Sequence, residues 1–299
     1  LKAAPFEYVR AETLEHALEV LSLYGAEGKL LAGGQSLVPM MVMRLARPTA
    51  LIDINRLKSL KQIDIQADRV VMGAASRQRD VEDDRALLAA VPLLGCALTW
   101  IGHSQTRNRG TVGGSLVHAD PSAELPLAAV VLEAQLSLRT YGGSVRDIAA
   151  GDFFVGPMST ATGDTECLTE ISWPRWQGER LVSAFEEVAM RHGDFAMAAA
   201  CAQLQFDESG LCTRAAIGLG GVDGVPLAFP ALAAQLIGRR IDSDLAREVA
   251  HEAASQCQPG TDVHADAAYR RQIAAVLLTR VLLRAPLHNQ ASHEDALAA

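Results

Sequence analysis

The chain has 299 residues, 49% hydrophobic and 21% charged, with a formal net charge of −8. That length fits two domains at about 100–200 residues each, and that balance fits a globular protein with a substantial core rather than a disordered one. Interspersed charges argue against nucleic acid as the main partner, no run of about 18 apolar residues offers a membrane span, and Leu1 to Pro5 lack the basic-then-apolar pattern of a signal peptide.

Residues 11–24 carry Leu14, Leu18 and Leu21 at helical spacing, with Thr13 as N-cap and Gly25 as stop. Lys29 to Ala32 reads as a strand feeding Gly33-Gly34. Ser36 to Arg44 then reads as helical, with Pro39 in its first turn, and Ala50 to Ile54 as a second strand. A hairpin is predicted from Gln62 to Ile65 and Arg69 to Gly73 around Ala67-Asp68, then a helix with a charged face over 76–90. Gly110 to Leu116 is glycine-rich. A helix over Pro121 to Ala129 follows, then a strand over Ala134 to Arg139 with the turn Gly142-Gly143, and a strand over Glu166 to Trp173 closed by Pro174.

The stretch 174–180, with Pro174, Trp176 and Gly178, marks the best boundary. Beyond it, strands are predicted at 184–190, 198–206 and 213–219, and helices at 228–237, 243–256 and 265–283. Strands followed by helices predict an α+β chain rather than alternating βαβ units. The tail from His288 has little apolar content and is expected to be mobile.

Two motifs point to chemistry. In Ala32-Gly33-Gly34-Gln35-Ser36, adjacent glycines after a strand let the chain turn with positive φ and let backbone N–H groups approach a ligand. Successive N–H groups form an anion-binding nest, and Gln35 and Ser36 add side-chain donors. Thr111-Val112-Gly113-Gly114-Ser115 follows the same logic, with Thr and Ser hydroxyls for polar atoms. Either motif alone also fits a plain tight turn. Asp120 has two readings: a cap for the helix opening at Pro121, or an acceptor for ligand hydroxyls.

Other features carry less. The run Gly218 to Gly224 has the wrong spacing for a dinucleotide fingerprint and reads as a turn. His103 and His118 flank the second motif, where either could line a cofactor, but a hydrogen-bonded structural histidine is the better reading. Arg107 and Arg109 fit phosphate attraction or surface ion pairs, and Arg270-Arg271 and Arg280 the polar face of a helix. The five cysteines are widely spaced without C-x-x-C, and the eight histidines lack an H-x-x-x-H pair. No metal site and no disulfide framework is expected, and reduced thiols suit a cytoplasmic protein.

Taken together, Leu30-Leu31-Ala32-Gly33-Gly34-Gln35-Ser36-Leu37 and Arg107 to Ser115, followed by Ala119-Asp120-Pro121, resemble the FAD-binding medium subunit of molybdenum hydroxylases, the carbon monoxide dehydrogenase and xanthine dehydrogenase family. Phe185 to Ala189 with Arg191 to Asp194, and Tyr269 to Arg271 with Val276 to Arg280, extend the resemblance over nearly the whole chain. It implies an FAD-binding domain over 1–175, with subdomains of about 1–55 and 56–175. A C-terminal α+β domain, an antiparallel sheet with helices, follows over 180–287.

The resemblance implies cofactor contacts from Leu30 to Leu37 and from Thr111 to Ser115. It sets Ile101 against the ring system, Glu124 near ribityl or ring polar groups, and Leu168 on the isoalloxazine, and it makes ribityl or ribose hydroxyls the ligand groups that Asp120 would accept from. It assigns no catalytic residue and no metal ligand to this chain. Where some relatives carry a lysine after the Phe equivalent to Phe185, this chain has Glu186. Where some cover the flavin with a tyrosine, it offers His192 and Phe195, and the cysteine-rich iron–sulfur insertion of other members is missing.

The implied partners are a large molybdenum-cofactor subunit and a small subunit with [2Fe-2S] clusters, in a dimer of heterotrimers. Electrons would pass through the clusters to FAD and on to an external acceptor. Two alternatives stand: a self-contained flavin oxidase, and a non-enzymatic binder of another phosphate ligand.

Overall fold

The computed structural model describes residues 2–178 and 180–297, with side chains as far as Arg284. An N-terminal lobe starts with β1 (Glu7–Arg10), α1 (Leu14–Tyr24), β2 (Gly28–Leu31), α2 (Leu37–Val42) and β3 (Ala50–Asp53). The strands form a parallel sheet in the order β1-β3-β2. Thr13 caps α1 as its residue type predicts, its hydroxyl accepting from His16 N at 3.1 Å. Ala17 and Leu21 of α1 pack with Ile52, Ile54 and Leu60 in a small core.

The middle lobe is built on a five-stranded antiparallel sheet. Its strands are β4 (Ile63–Ile65), β5 (Arg69–Gly73), β6 (Gln135–Arg139), β7 (Val145–Ala149) and, much later in the chain, β10 (Cys167–Pro174). The order is β4-β5-β10-β6-β7, so the last strand returns to the centre. Between β5 and β6 run six helices: α3 (Gln78–Asp83), α4 (Arg85–Ala90), α5 (Pro92–Leu98), α6 (Ser104–Arg109), α7 (Val112–His118) and α8 (Glu124–Val131). The short α9 (Ala150–Phe153) and the pair β8 (Phe154–Gly156) and β9 (Ser159–Thr160) precede β10.

Several expectations are corrected here. The helix over 76–90 is two helices, because Asp84 leaves helical geometry at ψ 94° and caps α4 by accepting from Leu87 N at 3.0 Å. The glycine-rich segment from Gly110 is helical from Val112 on. Helices α5 and α6 went unread: α5 is almost wholly apolar and α6 wholly polar, so neither shows a 3.6-residue pattern.

The C-terminal lobe comprises β11 (Leu181–Val188), β12 (Ala198–Phe206), β13 (Cys212–Gly220) and β14 (Leu227–Ala228), an antiparallel sheet in that order. Helices α10 (Pro230–Ala234), α11 (Ser243–Gln256) and α12 (Ala267–Leu297) follow. The predicted α+β class with strands before helices is the class found. The tail from His288 lies outside the residues whose side chains are described.

The period-2 alternation of β11 and β12 divides their side chains between two cores. Ala198, Ala200, Ala202 and Leu204 face α12, in a core that α11 shares, whereas Phe185, Ala199 and Cys201 join the core of the middle lobe, against α5 and α8. Gly218 permits this close packing, since a Cβ there would lie 2.2 Å from Val131 Cγ2. The run from Gly218 is strand as far as Gly220, so the turn reading holds only from Gly221 on. Arg270 is not on a polar face: it is 6% exposed, donates to Met197 O at 2.6 Å and pairs with Asp262 at 2.7 Å.

Candidate functional site

A cleft of about 640 Å³ opens between the lobes, within the span usual for small-molecule sites, about 300–1,000 Å³. All the residues expected to hold the cofactor line it except Leu31 and Val112. Leu31 sits in β2, where its carbonyl accepts from Ile54 N and Asn55 Nδ2. Val112 is fully buried in the middle-lobe core. Both belong to the motifs as sequence, but they shape the cleft from behind.

The two glycine motifs meet. A Cβ on Gly33 would lie 2.5 Å from Arg109 O and 2.9 Å from Gly110 Cα, so only glycine allows the β2–α2 loop to touch the end of α6. Within the first motif only Gly34 has positive φ, at 72°. The backbone N–H groups of Gly33 to Ser36 donate to no acceptor among the described residues. Four unpaired donors in a row beside a cleft make a nest that suits an anion such as pyrophosphate. Gln35 folds back, its Nε2 donating to Gly33 O at 3.3 Å.

The second motif differs. Gly113-Gly114 is the first turn of α7 rather than a loop turn, and neither residue has positive φ. Its N–H groups are already used: Val112 N donates to Ser76 O, Gly113 N to Ala74 O, Gly114 N to Thr111 Oγ1 and Ser115 N to Thr111 O. The nest reading therefore fails here. A Cβ on Gly113 would sit 2.5 Å from Ala74 Cβ, so this glycine seats α7 on the end of β5. What the motif offers the cleft is hydroxyls, from Thr111 and Ser115, and the open face of Gly114.

Asp120 does not cap α8, whose N-cap is Ala123. Its Oδ1 accepts from Ser122 N at 2.9 Å in an Asx turn, because the helix begins three residues later than expected. That turn is tied to the C-terminal lobe, Ser122 Oγ donating to Ala196 O at 2.8 Å and Gly221 N to Pro121 O at 2.8 Å. Glu124 opens α8 at the cleft wall. Burial among apolar neighbours pushes its carboxyl up to about 7, and the Asp120 charge adds to the effect. Ile101 and Leu168, both buried, supply an apolar wall.

Phe195 is 73% exposed at the cleft, whereas His192 lies outside it with its ring 5.9 Å from that of Trp100. Glu186 also lies away from the cleft, paired with Arg284 at 2.9 Å. Arg107 takes the ion-pair reading, its Nε and Nη2 each 2.9 Å from the Glu82 carboxylate. His118 lines the cleft.

Sequence reasoning missed the strap behind the loops. Arg77 donates to the Arg109 carbonyl and, at 2.5 Å, to Asn55 Oδ1. Asn55 Nδ2 in turn donates to Leu31 O and Asp53 Oδ1. This joins the N-terminal and middle lobes through residues far apart in the chain, and no local motif announces it.

An apolar wall, a nest of free N–H donors, hydroxyls and flanking carboxyls define a site for a long ligand with a ring, hydroxyls and an anionic link, the chemistry of a flavin dinucleotide. Comparison with known proteins agrees. Residues 4–176 match the family described as the FAD binding domain in molybdopterin dehydrogenase, and residues 183–285 the CO dehydrogenase flavoprotein C-terminal domain. The chain belongs to this family of FAD-binding medium subunits of molybdenum hydroxylases, and its homologues are oxidoreductase subunits.

Among its relatives, the 6-hydroxypseudooxynicotine dehydrogenase complex subunit alpha of Paenarthrobacter nicotinovorans is 34% identical over 99% of both chains. The carbon monoxide dehydrogenase medium chain of Hydrogenophaga pseudoflava is 33% identical over 93% of this chain and 96% of that one. A solved structure of carbon monoxide dehydrogenase from Hydrogenophaga pseudoflava, lacking the Mo-pyranopterin moiety, superposes with a TM-score of 0.90. It covers 95% of this chain and 98% of that one at 32% identity. Quinoline 2-oxidoreductase from Pseudomonas putida 86 also gives 0.90, over 96% and 99% at 32% identity. Among the described residues no helix is long and apolar enough to cross a membrane, and no three His, Cys, Asp or Glu side chains cluster as a metal site.

Proposed function

We propose that this chain is the electron-relay subunit of its complex, taking electrons from iron–sulfur clusters of a small partner and passing them to an external acceptor. A large molybdenum-cofactor subunit would carry the substrate chemistry, two such heterotrimers would associate, and the complex would work in the cytoplasm. The observation that supports this best is a site equipped to bind a flavin dinucleotide in a chain with no metal-ligand cluster among its described residues. A second support is that relatives of near-equal identity are named for unlike substrates, 6-hydroxypseudooxynicotine and carbon monoxide. A cleft common to them suits a shared cofactor better than any one substrate.

The proposed division is an FAD-binding domain over 1–175 and a C-terminal domain over 180–287, with the cleft-lining residues holding FAD. Bound FAD supplies the capacity to accept two electrons and release them singly or in pairs. Gly33 to Ser36 would bind its phosphates through backbone N–H groups, with the Thr111 and Ser115 hydroxyls beside them. Ile101 and Leu168 would exclude water from the ring, and Asp120 and Glu124 would meet hydroxyls or ring polar atoms. The test is to purify the chain alone and with its partners. Alone it should bind one FAD and accept electrons from dithionite without oxidising a substrate. Turnover should need subunits containing molybdenum and iron. Direct substrate oxidation by the lone chain would sink the relay reading in favour of a self-contained oxidase.

A further inference from the structure

Glu187, on β11, is a buried acid with no assigned role. It is 7% exposed, and its Oε2 has no hydrogen-bond partner among the described residues. Strand alternation points it with Phe185 toward the middle lobe, while Glu186 points the other way to Arg284. The charged group that acts on it is Glu124, at the start of α8, which lines the cleft. Among the described residues no cation pairs with either. Helix α5 brings Cys96, whose thiol donates to Ser183 O, and β12 brings the buried Cys201. The loop before α8 adds Asp120, another acid, and His192 is occupied with the Trp100 ring. Burying two neighbouring carboxyls without a cation is costly when both are ionised, so the site favours keeping a proton.

We propose that Glu124 and Glu187 form a proton-binding pair under the cleft whose occupancy is coupled to the charge of the bound flavin. Glu124 lines the cleft, and Glu187 is a positioning residue acting through it. This rests on the reading that the cleft holds FAD. The charge balance is simple. Two electrons from a chemical reductant such as dithionite go to FAD, and the added negative charge raises the proton affinity of the pair. A proton from solvent then forms an O–H bond on a carboxylate, and it returns to solvent on reoxidation. Burial holds Glu124 up to about 7, and burial plus Glu124 holds Glu187 up to about 8, so the exchange falls in the neutral range.

Two measurements test this on the full chain. The first uses cofactor-free protein with 13C-labelled glutamate carboxyls. Two resonances should titrate in the neutral range, Glu187→Gln should remove one, and Glu124→Gln should move the surviving one to lower pH. Titration of both near the ordinary value of 4.5 overturns the pair. The second follows the flavin midpoint potential from pH 6 to 9 with dithionite as reductant. Its slope against pH should be steeper in the wild type than in Glu187→Gln, and equal slopes overturn the coupling. If FAD fails to bind at all, the flavin reading falls while the carboxyl titration still decides the pair.

Discussion

The two glycine motifs look alike in sequence and behave differently in structure. Gly33-Gly34 leaves four consecutive N–H groups, from Gly33 to Ser36, without a partner among the described residues. Gly113-Gly114 spends its N–H groups on Ala74 and Thr111 and uses its glycines to seat one element against another. A glycine pair after a strand therefore marks close approach in both places, but only one of them approaches a ligand. The other approaches protein and so sets the position of the hydroxyls beside it.

The sharpest way to break this comparison is at Gly33. Gly33→Ala puts a methyl 2.5 Å from a backbone carbonyl of the opposing lobe. The loops must separate, and FAD affinity should fall about a hundredfold, at the upper end of overpacking costs, as flavin fluorescence titration would report. Arg77→Met cuts the strap to Asn55 and the Arg109 carbonyl, and should weaken FAD about tenfold while leaving the nest intact. An unchanged dissociation constant would show that the lobes hold their spacing without it.

Gly113→Ala should act through stability instead, costing about 1–3 kcal/mol in urea unfolding and less FAD affinity than Gly33→Ala. If the order reversed, the second motif would have to be a ligand nest after all. Thr111→Ala removes the cap on Gly114 N and should cost about 1 kcal/mol, with Thr111→Ser restoring most of it.

The remaining effect is on pH dependence. Unfolded glutamates titrate near their ordinary value of 4.5, whereas Glu124 and Glu187 are held up to about 7 and about 8. Between those limits the folded chain keeps protons that the unfolded chain has released. Their contribution to stability is full below pH 4.5 and is lost as pH rises through 7 and 8. Urea midpoints measured at pH 5 and 8 should differ less in the double Gln variant than in the wild type.

Much of this was legible in the sequence where local chemistry decides. Thr13, Gly25 and the Ala67-Asp68 turn bounded their elements because caps and turns are short-range. The first motif read as a nest because strand, glycines and helix are contiguous. The second misled, since nothing in Thr111 to Ser115 reveals that Ala74 and Ser76 take its N–H groups. Arg77 and Glu187 were invisible for the same reason: Asn55 and Glu124, the groups they act with, come from other lobes. Only the cap reading of Asp120 fails, because α8 begins at Glu124 rather than at Pro121, after a turn tied to Ala196 and Gly221 of the C-terminal lobe.

Phe185, Ala199 and Cys201 fill the core of the middle lobe from the far side of the seam at 176–183. The two family modules are therefore not beads on a string that evolution or an engineer can swap freely. Exchanging one between relatives transplants half of a shared interior, and each graft must bring matching neighbours from the other half.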